Sequence, residues 1–255
     1  MSRVDLNADI GESFGAYTIG HDAALMTSIT SASVAAGFHA GDPGVLRETI
    51  RLARAHGVAV GAHPGFPDLP GFGRRDMKLT PREAEDLVLY QIAAVAGVAA
   101  AEGTPLQHVK PHGALFNMAA RDSDLAGAIA RATVAIDRRL ILFGPPNSAL
   151  LRAGRLFGLR VAAEVFADRA YEPDGSLVSR LKANAVISDG EVLVARAIRM
   201  VRDHTVEAVD GSVLTLDVDT LCVHGDTEGA AQLAARVRTG LEAAGVTVCS
   251  LADLR

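Results

Sequence analysis

Short apolar runs and longer amphipathic segments alternate along the whole chain. Residues 4–9, 32–38, 58–63, 108–110, 140–143, 161–166 and 220–223 have the length and composition of strands, and 246–250 is a candidate eighth. The helices between them have recognisable starts. Thr80-Pro81-Arg82-Glu83 combines a capping box with proline at the first helical position, and predicts a helix running towards Ala101. Asp42-Pro43 predicts a cap before a helix over 45–56, while 191–201 and 228–244 carry the apolar spacing of surface helices. Gly57, Gly158 and Gly245 stand where helices should end. Such alternation predicts a parallel sheet. Two segments interrupt it. Residues 206–216 hold Asp210-Gly211 between alternating apolar positions, which predicts an inserted β-hairpin. Residues 61–75 are rich in glycine and proline and predict a long loop after the third strand. With neither repeat nor linker, residues 1–255 read as one domain.

Parity within the strands narrows the architecture. Asp5, Asn7 and Asp9 share one face of the first strand, with Val4, Leu6 and Ala8 on the other. His108, Lys110 and His112 repeat the pattern, as do Cys222, His224 and Asp226, and Glu164 between Ala163 and Val165. A parallel strand covered by helices on both sides should be apolar on both faces. Strands that instead gather ionisable groups on one face, towards their C-terminal ends, fit a TIM-like (β/α) barrel. There the inner face points to the axis and the strand C-termini form the site rim.

Composition mainly removes alternatives. Hydrophobic residues make up 49% of the 255 residues and charged residues 22%, enough for a full core. A formal charge of −5 offers no basic excess for phosphates, which argues against nucleic acid. The N-terminus has no leader pattern and the longest apolar stretch, 92–101, is too short for a bilayer, so a cytoplasmic protein without membrane attachment is expected. Two cysteines, Cys222 and Cys249, make no disulfide framework. The chain contains no Walker A loop, nucleophile elbow, His-Glu-x-x-His helix or Cys-x-x-Cys pair.

Several polar residues have structural readings. Asp42 and Asp226 stand before helices and can act as caps, and Asp5 lies deep in its strand, where it can be hydrogen-bonded inside the barrel. Cys222 reads as a small core residue, His56 as structural or solvated, and His204 carries no assignment. Lys110 is different: it is one of only three lysines, and it sits at a strand end beside Pro111 and His112.

The motifs resemble the LamB/YcsF family. The resemblance rests on residues 5–15 (from Asp5 through Asn7, Asp9 and Glu12 to Gly15), 37–43 (Gly-Phe-His-Ala-Gly-Asp-Pro), 61–65 (Gly-Ala-His-Pro-Gly) and 71–75. It continues through 109–115 (Val-Lys-Pro-His-Gly-Ala-Leu), 164–171 (from Glu164 to Tyr171, with Asp168 and Arg169) and 222–226 (Cys-Val-His-Gly-Asp). Phe116 departs from it, since an aromatic of the tyrosine type is expected there. The resemblance implies a barrel of the glycoside hydrolase/deacetylase group, often with seven strands. It also implies the A subunit of an ATP-dependent 5-oxoprolinase, opening the lactam of 5-oxo-L-proline to L-glutamate with partner subunits B and C. ATP would be a co-substrate bound mainly with those partners.

Position and residue type set the expected roles. Asp9 or Glu12 is the general base, His112 the general acid for the departing nitrogen, and Lys110 and Arg169 hold anionic groups of the substrate. Asn7, His39, Asp42, His63, Glu164, His224 and Asp226 complete the expected substrate-binding set. Two rival readings remain open. One is a metal-dependent amide or acetyl hydrolase of the polysaccharide-deacetylase type, with Asp9, His39 and His63 as ligands of a divalent ion. The other is a non-catalytic binding or regulatory subunit.

Overall fold

The computed structural model describes residues 2–180, 182–224 and 229–254. Its frame is a ring of parallel strands: β1 (Arg3–Ile10), β2 (Ser31–Ala35), β3 (Ala59–His63), β4 (Leu106–Val109), β5 (Ile141–Gly144), β6 (Arg160–Phe166) and β9 (Thr220–Cys222). Each pairs with the next, and β9 pairs back onto β1 through Asp5↔Thr220, Leu6↔Leu221 and Asn7↔Cys222, so the seven strands close. The eighth candidate forms too, as β10 (Thr247–Val248), but it lies outside the ring. It adds to β1 at Arg3 and Val4, where the longer strand extends beyond β9.

Helices α1 (Asp22–Leu25), α2 (Pro43–His56), α3 (Pro81–Ala101), α4 (Gly113–Ala119), α5 (Ser123–Ile136), α6 (Ala149–Leu156), α7 (Gly190–Asp203) and α8 (Ala230–Ala243) surround the ring. The expected starts are present. Thr80 and Glu83 form the reciprocal capping box, and Asp42 caps α2 by accepting from the Gly44 and Val45 amides at 2.8 and 3.0 Å. Helix α3 has the length and apolarity of a membrane-crossing segment. Ala84, Val88, Gln91, Ile92, Val95 and Ala99 on it are nevertheless buried, and it packs on α5, β3 and β4. The expected hairpin forms from β7 (Thr205–Glu207) and β8 (Val213–Thr215), with Asp210 accepting from the Ser212 amide in its turn.

The two strand faces divide as parity requires. Leu6, Ala8, Val34, Val60, Ala62, Val109, Leu142, Val165 and Leu221 join the core shared with the helices. On the other face Phe143 stacks on His108 at 4.3 Å between ring centroids, and Ile141, Phe143 and Ala162 pack against Leu251. A Cβ on Gly61 would stand 2.1 Å from the His108 ring, so this glycine is what allows an imidazole inside the barrel.

Candidate active site

The polar residues form a continuous chain of hydrogen bonds on the inner face of the strands. At its base Asp5 accepts from Thr30, Ser31 and Thr220 at 2.8, 2.6 and 2.5 Å. Thr220 Oγ1 accepts from Asn7 Nδ2 at 2.7 Å, and the same amide nitrogen donates to Glu164 Oε1 at 3.0 Å. Lys110, one residue past β4, sits above them. Its Nζ lies 2.7 Å from both Asp9 Oδ1 and Glu164 Oε1, and 3.1 Å from both Asn7 Oδ1 and Cys222 Sγ.

An ammonium this deeply buried requires anionic neighbours, because its hydration is lost. Burial pushes the Lys110 pKa down, but Asp9, Cys222 and Glu164 carry it well above the usual lysine value. Burial likewise pushes the Asp9 carboxyl up, yet His63 and Lys110 hold it well below the usual carboxylate range. Glu164 goes the other way, raised by burial in spite of Lys110.

A second group lies beside this one. His39 follows β2, His63 ends β3, His112 immediately precedes α4 and Glu12 follows β1. His39 and His112 stack face to face at 3.7 Å with 5° between their planes. His63 Nδ1 is 2.7 Å from the Lys110 carbonyl, His112 Nε2 is 2.8 Å from the Phe72 carbonyl, and the other nitrogens of the two rings face each other at 2.9 Å. Glu12 Oε1 lies 3.5 Å from His39 Nε2 and 3.7 Å from His112 Nδ1. Burial and the neighbouring imidazoles push the His39 and His112 pKa values well down. The glycines of the loop after β3 are explained here: a Cβ on Gly65 would come within 2.5 Å of His39 Nδ1, and one on Gly73 within 2.7 Å of His39 Cβ.

On the opposite wall His224 Nδ1 lies 2.6 Å from Asp168 Oδ2, with its ring stacked on Phe166 at 5.3 Å. Asp168 is the site residue that the sequence reading misses. Glu164, Phe166 and Asp168 share one parity, so extending the alternation two residues past β6 would have found it. Phe166 also lies 5.4 Å beneath Lys110 Nζ and meets Phe116 edge-on.

Asp9, Glu12, Lys110, His112, Asn7, His39, His63, Glu164 and His224 therefore converge at one end of the barrel. Four expectations change. Asp42 is a cap whose second oxygen accepts from the Gly15 amide at 2.8 Å, so its carboxylate serves loop and helix rather than the pit. Arg169 directs its guanidinium to the Val178 and Ala185 carbonyls and so ties down the following loop. Asn7 is completely buried with its amide engaged on both sides, and it positions Lys110 and Glu164. The imidazole nitrogens of His112 are both turned to protein groups, a poor arrangement for a general acid. Asp226 lies outside the described residues.

Residues 4–255 match the LamB/YcsF family. The chain belongs to this family. A relative from Tolumonas auensis, named as the A subunit of 5-oxoprolinase, is 54% identical over 97% of this chain and 99% of its own length. The crystal structure of a lactam utilization protein from Thermus thermophilus superposes with a TM-score of 0.91 at 50% identity, covering 97% of this chain and 99% of that one. A polysaccharide deacetylase from Bacillus cereus shares the fold alone, with a TM-score of 0.53 at 11% identity over 98% of this chain and 92% of its own. The fold expected from the family's motifs is thus the one present.

Proposed function

We propose that this chain is the lactam-opening subunit of an ATP-dependent 5-oxoprolinase, converting 5-oxo-L-proline to L-glutamate together with partner subunits B and C in the cytoplasm. The reading is supported by end-to-end likeness to proteins named for this activity. The observation that carries it in the molecule is the Asp9–Lys110–Glu164 ion cluster at the strand C-termini, facing a histidine held by Asp168.

The chemistry sets the division of labour. A five-membered lactam is a poor electrophile, and opening it in water near neutral pH is uphill. Phosphorylation of the amide oxygen, with ATP handled by the partners, makes the carbonyl carbon electrophilic. Asp9 then directs water to that carbon and takes its proton, while Lys110 keeps the carboxylate ionised. His224, fixed through Nδ1 by Asp168, protonates the ring nitrogen as the C–N bond breaks; this leaves a γ-glutamyl phosphate, and a second water then releases phosphate to give glutamate. Of the site side chains, Asp9 and His224 are among the least covered, at 7% and 8% exposed, so both stand at the mouth of the pit. This moves the general-acid role from His112 to His224, and makes Lys110 a positioning residue rather than the holder of a substrate anion.

Reconstitution tests the reading. This chain with subunits B and C, supplied with 5-oxoproline and ATP, is expected to release glutamate, and omission of this chain is expected to abolish it. Unchanged glutamate formation without this chain refutes the assignment.

A further inference from the structure

We propose that Arg196, on α7 outside the barrel, is the positioning residue of the Asp168–His224 pair. Asp168 stands two residues past β6, whose ladder with β9 ends at Phe166↔Cys222, so the carbonyls that follow have no strand to pair with. Ala167, Asp168 and Arg169 are nevertheless buried, at 0, 3 and 6% exposed, and buried carbonyls need donors. All three have one. Arg196 Nε donates to the Ala167 carbonyl at 3.1 Å and Nη2 to the Arg169 carbonyl at 2.9 Å. The Ile187 amide donates to the Asp168 carbonyl between them at 2.8 Å. One guanidinium thus grips the chain on both sides of Asp168.

The bond that this grip aligns is short and charge-assisted, with His224 Nδ1 2.6 Å from Asp168 Oδ2. The other carboxylate oxygen, Oδ1, is buried without a hydrogen-bond partner, so the backbone decides where the carboxylate stands. The residue type matters as well. Two carbonyls two residues apart call for donors in a fixed fork, which a guanidinium presents and a lysine ammonium does not. Burial lowers the Arg196 pKa, so the molecule bears a desolvation cost for a cation whose hydrogen bonds go to carbonyls. The clamp continues along the loop, because Arg169, whose carbonyl Arg196 holds, directs its own guanidinium to the Val178 and Ala185 carbonyls.

Arg196 reaches this loop from outside the pit. With Val192, Arg199, Thr205 and Val209 it lines a separate cavity of about 340 Å³ between α7 and the hairpin. Its hydrogen bonds go to the backbone, so it acts on His224 only through Asp168. The clamp follows from these hydrogen bonds alone, while its effect on ring opening rests on the acid role proposed for His224.

The test reads the pair first and the reaction second. In the full chain alone, the His224 Nδ1–H proton, identified by its loss in His224→Gln, is expected far downfield in the proton NMR spectrum, as a short charge-assisted bond requires. Arg196→Ala should weaken or remove this signal. Guanidinium at millimolar concentration, far below the denaturing range, should restore it by entering the enlarged cavity. Ammonium should not, because it lacks the fork. In the complex with subunits B and C, Arg196→Ala should lower kcat for glutamate by about 10- to 100-fold, the scale of a misplacement of about 1 Å, with KM for 5-oxoproline unchanged. Arg196→Lys keeps the stem and the charge, serves if the alanine variant fails to fold, and should lose the signal too. Arg199→Ala, in the same cavity but bound to Thr205 and Glu207, should change neither readout. An unchanged downfield signal in folded Arg196→Ala or Arg196→Lys, or equal rescue by ammonium, would overturn the proposal. A lost signal with wild-type glutamate formation would uphold the clamp and instead remove His224 from ring opening.

Discussion

At the scale of single residues, the barrel interior is a stack of polar groups whose protonation is set by their neighbours. Asp5 is the clearest case. Burial pushes its pKa from 3.8 to about 6, against the hydrogen bonds from Ser31, Thr220 and Thr30. Below about pH 4 the group is protonated in both folded and unfolded chains. Above that the unfolded chain ionises first, so stability is lost as pH rises through about 6. Asp5→Asn is therefore expected to gain relative to wild type between pH 4 and 7, by about 3 kcal/mol across the window. Denaturant unfolding at several pH values checks this, and a difference independent of pH would contradict it. Lys110 tests the layer above. Lys110→Met leaves Asp9 and Glu164 without their shared cation, a loss of about 3–5 kcal/mol. Adding Glu164→Gln should restore part of the melting temperature but no glutamate formation. Equal activity in the double variant and wild type would show that the ammonium is dispensable. Side-chain alternation makes Asp5, Asn7, Asp9, Lys110 and Glu164 legible in the sequence, because it depends only on backbone geometry. Their partners are not legible, since Lys110 and Asn7 are 103 residues apart and their meeting depends on barrel closure.

At the scale of elements, local signals read well wherever a cap or turn is encoded by adjacent residues. The Thr80–Glu83 box, the Asp42 cap and the Asp210-Gly211 turn are all present. The stretch that becomes α4 and α5 is harder to read beyond its cap, in which Asp122 accepts from the Asp124 and Leu125 amides at 2.9 and 3.1 Å. Leu125 to Ala130, Ala132 and Thr133 of α5 are all buried, so the helix is apolar on nearly every side and shows no periodic stripe. What joins helices is less visible still. Arg47 and Arg51, on successive turns of α2, both direct Nε to the carboxylate of Glu102 at the end of α3, and Arg54 donates to its carbonyl at 2.6 Å. Hydrogen bonds from Arg51 and Arg47 hold the Glu102 pKa at about 2, below its ordinary 4.5. A depressed carboxylate contributes stability that is present above pH 4.5 and lost as pH falls towards 2. Glu102→Gln should thus lower the melting temperature by a few degrees at neutral pH, and the gap to wild type should close between pH 5 and 2. A gap that stays constant over that range would show that the arginine contacts act through packing alone.

At the scale of the whole molecule, closing seven strands brings residues from both ends of the sequence to one rim and separates two tasks around it. Asp9, Lys110 and Glu164 form the floor, and the Asp168–His224 pair forms a wall beside it. If the partners supply activated lactam, the wall acts only after activation, when the ring nitrogen leaves. Removing it should therefore separate nucleotide turnover from ring opening. In the reconstituted complex His224→Gln is expected to lower glutamate formation by about 100-fold or more, the usual scale for a lost acid–base group. ATP consumption should fall less, because activated substrate then reverts or is hydrolysed without ring opening. Asp168→Asn keeps the shape but cannot accept from Nδ1–H as a carboxylate does, so it should show the same uncoupling to a smaller degree. The measurement is the ratio of glutamate to phosphate released, taken alongside the melting temperature of each variant. A parallel fall of both products in folded variants would place His224 before activation, at substrate binding. Wild-type glutamate formation would remove the histidine from the reaction altogether.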